Sequence, residues 1–321
     1  MSELLQQFTV ELFRELVDVR LPELGRANLI QGESNSGKTS VLEALRIFAR
    51  PFASRSWVDI ARGRDAHSRQ TIARNIEWLF PHPSGEVENF EGSLSLSAVR
   101  SERAERIEAS CKRIERLTEH TETIFDEETE TAQDVRFEEV QSGLCIDVQR
   151  TAGPEIVRNA FTLWEGDWFP VSLFQDKEHI PARLVTPASH VTDVLPSHSL
   201  TQAALDSIRA GVAEFDPSVR ALEFTGPRIY LERNGSGRMP VSTFGSTIRR
   251  ILLIAAAIPM VAGGMLLIDE IEAGLDADLL PRFVSWLLRS CGDWRVQLFA
   301  TTHSPAAAAL WPATFPAFQL R

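Results

Sequence analysis

Hydrophobic and polar positions alternate along Phe8–Phe13 and again along Leu16–Leu21. Pro22 to Gly25 then turns the chain into the short apolar run Ala27–Gln31. Period-two alternation predicts half-buried strands, and an unbroken apolar run predicts a fully buried one. From Ser40 to Phe48 the apolar positions fall at helical spacing, with an end at Arg50-Pro51. Residues 52–80 are mixed and read as helical toward Ile72–Phe80, and Pro81–Gly85 reads as a loop. Short strand-like runs return at Phe90–Leu96, Leu144–Gln149 and Phe161–Trp168, with a further piece at Val171–Phe174. Between the first two, residues 100–139 are highly charged, first mixed (Arg103, Glu105, Arg106, Glu108) and then acidic (Asp126-Glu127-Glu128). The plain expectation there is a solvated helix or strand pair with an exposed loop, and the sharper one is an acidic patch for a partner.

Thr186–Ser199 reads as loop, Ala203–Ala213 as helix, and Ile229–Glu232 before Asn234-Gly235 as a hairpin arm. Ile251–Ile268 imitates a membrane span, but Pro259 and Gly263-Gly264 divide it and Asp269-Glu270 ends it. A buried helix followed by a buried strand is expected, with no membrane insertion. Val296–Ala300 is another apolar strand.

Chemistry enters at the junctions of these elements. Gly32-Glu33-Ser34-Asn35-Ser36-Gly37-Lys38-Thr39 fits G-x-x-x-x-G-K-[ST] and sits between a predicted strand and a predicted helix, where a phosphate-binding loop must sit. The glycines let successive backbone N–H groups turn onto an anion, and the helix N-terminus faces the same phosphates. Gly32, Ser34, Asn35, Ser36, Gly37, Lys38, Thr39 and Ser40 are therefore candidate nucleotide contacts. Lys38 is expected to reach the β- and γ-phosphates and the Thr39 hydroxyl to ligate Mg²⁺. The strand Gly264–Ile268 delivers Asp269 and Glu270 at its C-terminal end, a Walker B pattern. Asp269 would hold Mg²⁺ through water, and Glu270 would orient and polarise an attacking water. His303, after the strand ending in Thr301-Thr302, could reach a γ-phosphate. Pro240–Thr247 opens a helix carrying Arg249 and Arg250, which makes a second anion site or a simple N-cap.

Composition adds bounds. Among 321 residues, 44% are hydrophobic and 24% charged, as in an ordinary globular chain. The 33 basic against 44 acidic residues give −11, which argues against a broad basic face for nucleic acid while leaving room for a local groove. Cys111, Cys145 and Cys291 are few, odd in number and widely spaced, fitting a reducing cytoplasm and no metal-ligand pattern. The N-terminus lacks the basic and apolar regions of a secretion signal.

In order along the chain, these motifs resemble the ABC-type ATPases of the RecF, Rad50 and SMC kind, most nearly the bacterial AAA15 and OLD-like group. Phe13-Arg14 resembles the early Phe-Arg pair of these heads, which implies Arg14 near the phosphates. Ser242–Ser246 stands where the family carries its signature motif, so Thr243, Gly245 and Ser246 would touch the γ-phosphate bound by the opposite subunit. Thr243-Phe244-Gly245 departs there from the usual Ser-Gly-Gly. Glu272–Asp276 falls at D-loop spacing, with Asp276 as the contact, and Phe299–Pro305 resembles the family's His switch. Gln70 and Gln175 are weak candidates for a Q-loop. The resemblance implies an α/β P-loop NTPase, an ABC-ATPase head with a mixed central sheet, an antiparallel β lobe and a helical signature lobe. It would be a single head over 1–321: a P-loop half (1–80), a β-rich insertion (86–175) with the charged segment 100–139, and a signature, Walker B and His-switch half (200–321). The TOPRIM nuclease domain of OLD proteins and long coiled-coil arms are expected to be absent.

The expected activity is hydrolysis of ATP with Mg²⁺ in a cytoplasmic protein. Two copies would sandwich ATP as a homodimer, with Glu270, His303 and Lys38 as catalytic groups and Thr39 and Asp269 at the metal. The switch would control a separately encoded effector, such as a nuclease or toxin in antiphage defence. A RecF-like DNA-binding clamp, a transporter subunit and a non-catalytic ATP-binding scaffold are the rival readings.

Overall fold

The structure is a computed structural model that describes residues 4–64, 71–82, 90–126, 131–166, 179–189, 200–225, 228–235 and 237–320. The strand piece expected at 171–174, the Q-loop candidates Gln70 and Gln175, and parts of three expected loops (83–85, 127–130 and 190–199) lie outside the described residues.

In chain order, strands β1 (Leu5–Phe13), β2 (Leu16–Leu21) and β3 (Ala27–Gln31) lead into helices α1 (Lys38–Ala49), α2 (Ser54–Arg64) and α3 (Ile72–Glu77). Strands β4 (Glu91–Arg100), β5 (Arg103–Asp126), β6 (Thr131–Ala152), β7 (Glu155–Trp164) and β8 (Ala182–Val185) come next. Helix α4 (Gln202–Phe215) is followed by β9 (Val219–Thr225), β10 (Arg228–Arg233) and β11 (Gly237–Pro240). The chain ends with α5 (Ser246–Met260), β12 (Met265–Ile268), α6 (Leu280–Asp293), β13 (Gln297–Thr302), α7 (Pro305–Ala309) and β14 (Ala317–Gln319). The charged segment is thus a strand pair, as in the plain expectation.

The strands form three sheets: antiparallel β2-β1-β4-β5-β6-β7, antiparallel β11-β10-β9, and β14-β3-β13-β12-β8. All four pairings of the last sheet are parallel. The mixture of directions expected around the phosphate loop is therefore realised between sheets and not within one. The reason is burial. Both faces of the parallel sheet are covered, and its inner strands β3, β12 and β13 are buried almost throughout. Such strands are joined by crossovers through covering helices and not by hairpins.

Alternate residues of the parallel strands face two different cores. Ile30, Met265, Leu267 and Phe299 meet α1, α2, α3 and the six-stranded sheet. Leu29, Leu266, Ile268, Leu298 and Ala300 meet α4, α5, α6 and the three-stranded sheet. Helix α1 is thereby held between two sheets, with Val41, Leu42, Ala44, Leu45 and Ile47 fully buried. Gln297, 1% exposed, fastens the six-stranded sheet to the parallel one. Its side-chain oxygen accepts from Leu5 N, and its Nε2 donates to Leu5 O and Gly25 O, each at 2.9 Å. Burying an amide is tolerable here because its groups are paired. All three cysteines are free thiols. No helix among the described residues is long and apolar enough to cross a membrane.

Gly264, read in the sequence as a divider between helix and strand, marks a close approach. A Cβ there would lie 1.9 Å from the carbonyl oxygen of Pro181, just before the edge strand β8. Gly264→Ala is expected to destabilise the fold by about 3 kcal/mol, since backbone must shift to relieve the overlap. Gly292→Ala, in α6 with nothing within 4 Å of the added carbon, should stabilise by about 0.5 kcal/mol. Urea unfolding of both variants checks the pair. Equal midpoints would show that the β8 edge is not packed this way.

Candidate functional site

Because its strands are parallel, the central sheet delivers every strand's C-terminal end to one edge. The register pairs Gln31 with Thr302, and Ile268 with Ala300 and Val185. The segments after β3, β12 and β13 therefore start side by side, and a ligand can meet all three.

After β3 the chain curls from Gly32 to Gly37 and enters α1. Gly37 takes φ +87°, and a Cβ there would strike the Leu16 side chain at 2.5 Å. At Gly32 a Cβ would meet Ser36 Oγ at 2.6 Å and Leu320 O at 2.8 Å. Both glycines are needed for the curl, and Asn35 adds a left-handed residue at φ +64°. Lys38, 8% exposed, donates from Nζ to the carbonyls of Gly32 and Glu33, so its ammonium caps the loop from within.

Of the six helices with a described N-cap, three carry a side-chain cap and three do not. Thr71, Thr201 and Ser304 cap α3, α4 and α7 with side-chain oxygens, and α6 starts with a proline in its first turn. Helices α1 and α5 begin at Gly37 and Gly245, with no side-chain cap and no acid in the first turn. Their leading N–H groups have no side chain of their own to satisfy them, which suits an incoming anion.

Asp269 is the centre of the polar cluster and is 7% exposed. Thr39 Oγ1 donates to it at 2.9 Å, and Thr301 Oγ1 at 2.7 Å. The same Thr301 oxygen accepts from Glu270 N at 2.8 Å. Glu270 sits at φ +50°, an unusual conformation for a residue with a side chain. It is held there by that bond and by Arg250, whose guanidinium donates to the carbonyls of Glu270 (2.7 Å), Asp269 (3.1 Å) and Thr186 (3.2 Å). Burial lowers the pKa of Arg250, and the carboxylates of Asp269, Glu270 and Glu272 oppose that shift. Arg250 is thus turned inward as a brace for the loop.

His303 follows β13. Its Nδ1 lies 3.4 Å from Glu272 and 3.8 Å from Glu270. Glu272 Oε1 also accepts from Thr302 Oγ1 (2.9 Å) and from His303 N (3.3 Å). One carboxylate therefore fixes both backbone and ring of the histidine. Arg14 lies in the β1–β2 turn at φ +54°, with Nε 3.1 Å from Glu43 of α1. Its charge is balanced about one helical turn beyond Thr39.

Lys38, Thr39, Asp269, Glu270 and His303 are thus gathered at one sheet edge. Ser34 and Asn35 are exposed on the loop beside them, with Ser36 and Ser40 further in. Thr243, Gly245, Ser246 and Asp276 stand outside this network, exposed on a second patch. Thr247 Oγ1, donating to Gly274 O at 2.9 Å, ties the two segments of that patch together. Sequence patterns do not mark Thr301, Glu272 and Arg250 as parts of this cluster. The signals for Thr301 are a Thr-Thr pair ending an apolar strand and its place in the Phe299–Pro305 resemblance, neither of which shows what its hydroxyl bonds.

The donor set suits a hard divalent cation, since a hydroxyl and a carboxylate converge at Thr39 and Asp269. Among the described residues, no group of three or more His, Cys, Asp or Glu is placed to hold a metal alone. A cation here would complete its shell from phosphate and water.

The family described as "AAA domain, putative AbiEii toxin, Type IV TA system" matches residues 27–309. An ATP/GTP phosphatase of Helicobacter pylori is 20% identical over 332 residues, covering 94% of this chain and 85% of that protein. Among solved structures, an SMC head bound to the winged-helix domain of ScpA has TM-score 0.48 and 11% identity, covering 95% of this chain and 92% of that one. The SMC head domain of Thermotoga maritima has TM-score 0.42 and 12% identity, covering 95% and 91%.

Thr301→Val keeps the shape of a fully buried side chain and removes its hydroxyl. Asp269 then loses a donor and Glu270 N its acceptor. The expected loss of stability is about 2 kcal/mol, read by chemical denaturation. A loss below about 0.5 kcal/mol would show that water replaces both bonds.

Proposed function

The chain belongs to this AAA-domain, AbiEii-type family of P-loop proteins, and from that premise we propose a Mg²⁺-dependent ATP hydrolase of the ABC/SMC-like kind that works as an ATP-bridged pair. The observation that carries the reading is the meeting of the Lys38 loop, Asp269-Glu270 and His303 at the ends of three adjacent parallel strands. That the Helicobacter pylori relative is an ATP/GTP phosphatase supports a triphosphate as the substrate.

In this reading Lys38 exchanges its carbonyl partners for β- and γ-phosphate oxygens, and the leading N–H groups of α1 take the remaining charge. Thr39 and Asp269 hold Mg²⁺, which when bound neutralises charge on the phosphate oxygens. Glu270, half-exposed beside the cluster, aligns the attacking water and takes its proton. His303 donates toward the γ-phosphate, and Glu272 is the positioning residue that orients its ring. Gly32, Ser34, Asn35, Ser36, Gly37 and Ser40 complete the cradle, and Arg14 braces α1 through Glu43.

Thr243, Gly245, Ser246 and Asp276 act on the second copy's nucleotide. Their exposure and the uncapped start of α5 support this, because one head leaves one side of the γ-phosphate without donors. ATP then joins two copies and hydrolysis releases them. The family description names a toxin and a type IV toxin–antitoxin system, which supports an output passed to a separately encoded component. The whole of 1–321 acts as a single head in this scheme.

Glu270→Gln should slow ATP turnover at least about a hundredfold while nucleotide still binds. It should also elute as a dimer only with ATP and Mg²⁺ in size-exclusion chromatography. Turnover equal to wild type would remove Glu270 from its role, and no binding by wild type would end the reading.

Glu272→Ala should lower kcat about tenfold with KM changed less than about twofold, and Glu272→Gln should recover part of the loss. A fall in melting temperature without the kcat effect would make Glu272 structural only.

A further inference from the structure

Strands β5 and β6 outrun their neighbours. Pairing of β4 with β5 stops at Glu91↔Lys112, and pairing of β6 with β7 stops at Gly143↔Trp164. The β5–β6 ladder continues through twelve further pairs, from Glu115↔Ser142 to Asp126↔Thr131. At about 3.4 Å per residue this is a two-stranded ribbon on the order of 40 Å long. Among the described residues no third strand joins either edge of it. A ribbon of this kind is marginal in water by itself, and its open edges are templates for strand addition.

One face of the ribbon is mostly acidic and apolar among the described side chains, with Arg136 as its one exposed cation. Leu117 and Val140 face each other across the ladder, 72% and 57% exposed. They lie on the face that carries Leu144 into the core nearer the sheet, because β alternation repeats every second residue. Along that face the apolar pair is bracketed by exposed Glu115 on one side and by the exposed Glu119↔Glu138 pair on the other. Like charges directly opposite destabilise a ladder, and on this face the pair has one cation of the chain, exposed Arg136, as a diagonal neighbour against three carboxylates. Over residues 115–140 the sequence has ten acids against two basic residues, Arg116 and Arg136. Arg116 is engaged at the root of the ribbon, stacked 4.1 Å over Trp164 and bonded to Gln141 at 2.8 Å.

We propose that the ribbon is a docking arm for a basic, extended segment of a partner protein. That segment lays an aliphatic side chain over Leu117–Val140 and, two residues to either side on the same face, Lys or Arg side chains against Glu115, Glu119 and Glu138. Charge selects this occupant over the others. Nucleic acid and anionic lipid would be repelled by the ribbon, and a second copy of this chain carries −11 of its own. The aliphatic pair asks for more than a bare polycation, and the open edges supply main-chain hydrogen bonds to an added strand. The arm is independent of the nucleotide reading.

The test is fluorescence anisotropy on the full chain with a labelled synthetic peptide of about nine residues, Lys-Ser-Val-Ser-Lys-Ser-Val-Ser-Lys (the Lys–Val peptide), whose Lys and Val side chains share one face. The comparisons are the same peptide with each Val replaced by Ser (the Lys–Ser peptide) and with each Lys replaced by Glu. The Lys–Val peptide is expected to bind at least about tenfold more tightly than either, and to weaken at least about tenfold between low and high salt. Leu117→Ser with Val140→Ser should weaken it by a similar factor while melting temperature and basal ATP turnover stay unchanged. Glu119→Lys with Glu138→Lys should abolish it, and this second pair keeps the test informative if the first variant folds poorly. Equal binding of the Lys–Val and Lys–Ser peptides would overturn the proposal. So would an unaffected Leu117/Val140 variant, or self-association or duplex DNA binding that depends on these residues.

Discussion

The placement of one carboxylate governs the rest of the site. Asp269 is nearly buried and takes hydrogen bonds from Thr39, on the phosphate-loop helix, and from Thr301, on the neighbouring strand. A buried carboxylate is costly unless donors surround it. These two come from segments 230 and 32 residues away in the chain, so the bonds exist only if β3, β12 and β13 stand in their observed parallel register. A one-residue slip would turn Thr301 to the other face and leave both Asp269 and the Glu270 N–H without it. Register and site are thus one constraint.

The pieces of that site are legible in the amino-acid sequence because each is a short local pattern with a local physical cause. A glycine-flanked turn before a helix implies an anion cradle, and an apolar run ending in acids implies a buried strand with its charges at the rim. The buried strands β3, β12 and β13 and helices α1 and α4 are legible for similar reasons, since their apolar spacing leaves little choice. Edge strands β8 and β14, of four and three residues, are not. They are too short to show a period, and what makes them strands is the neighbour that pairs with them. Nor does composition separate the two sheets. The parallel character of the inner sheet follows from its being covered on both faces, a property of where α1 and α5 pack.

Support residues are hidden for a different reason. Thr301, Glu272 and Arg250 act through contacts with residues distant in sequence or through backbone carbonyls, and their local patterns do not show what they touch. Glu272 is visible in the sequence only as part of an expected loop, yet it is the residue that ties the histidine after β13 to the acids after β12. Arg250 is visible only as one of two arginines near a helix start. Its burial, 1% exposed, could not be guessed for a charged residue.

Arg250 also shows how the exposed and buried halves of the molecule are linked mechanically. It lies about one turn after Ser246 on α5, so the helix whose uncapped start is exposed also grips the carbonyls of Asp269 and Glu270. Glu270 already occupies a left-handed conformation that its neighbours must enforce. A load applied at Gly245–Ser246 cannot be absorbed by bending α5, whose middle is packed solidly from Ile251 to Ile258. The load must either move the guanidinium, and with it the Glu270 backbone, or break hydrogen bonds worth about 1.5–3 kcal/mol each to a charged donor. A partner surface pressing on that helix start would therefore be felt through Arg250 at the acid beside His303.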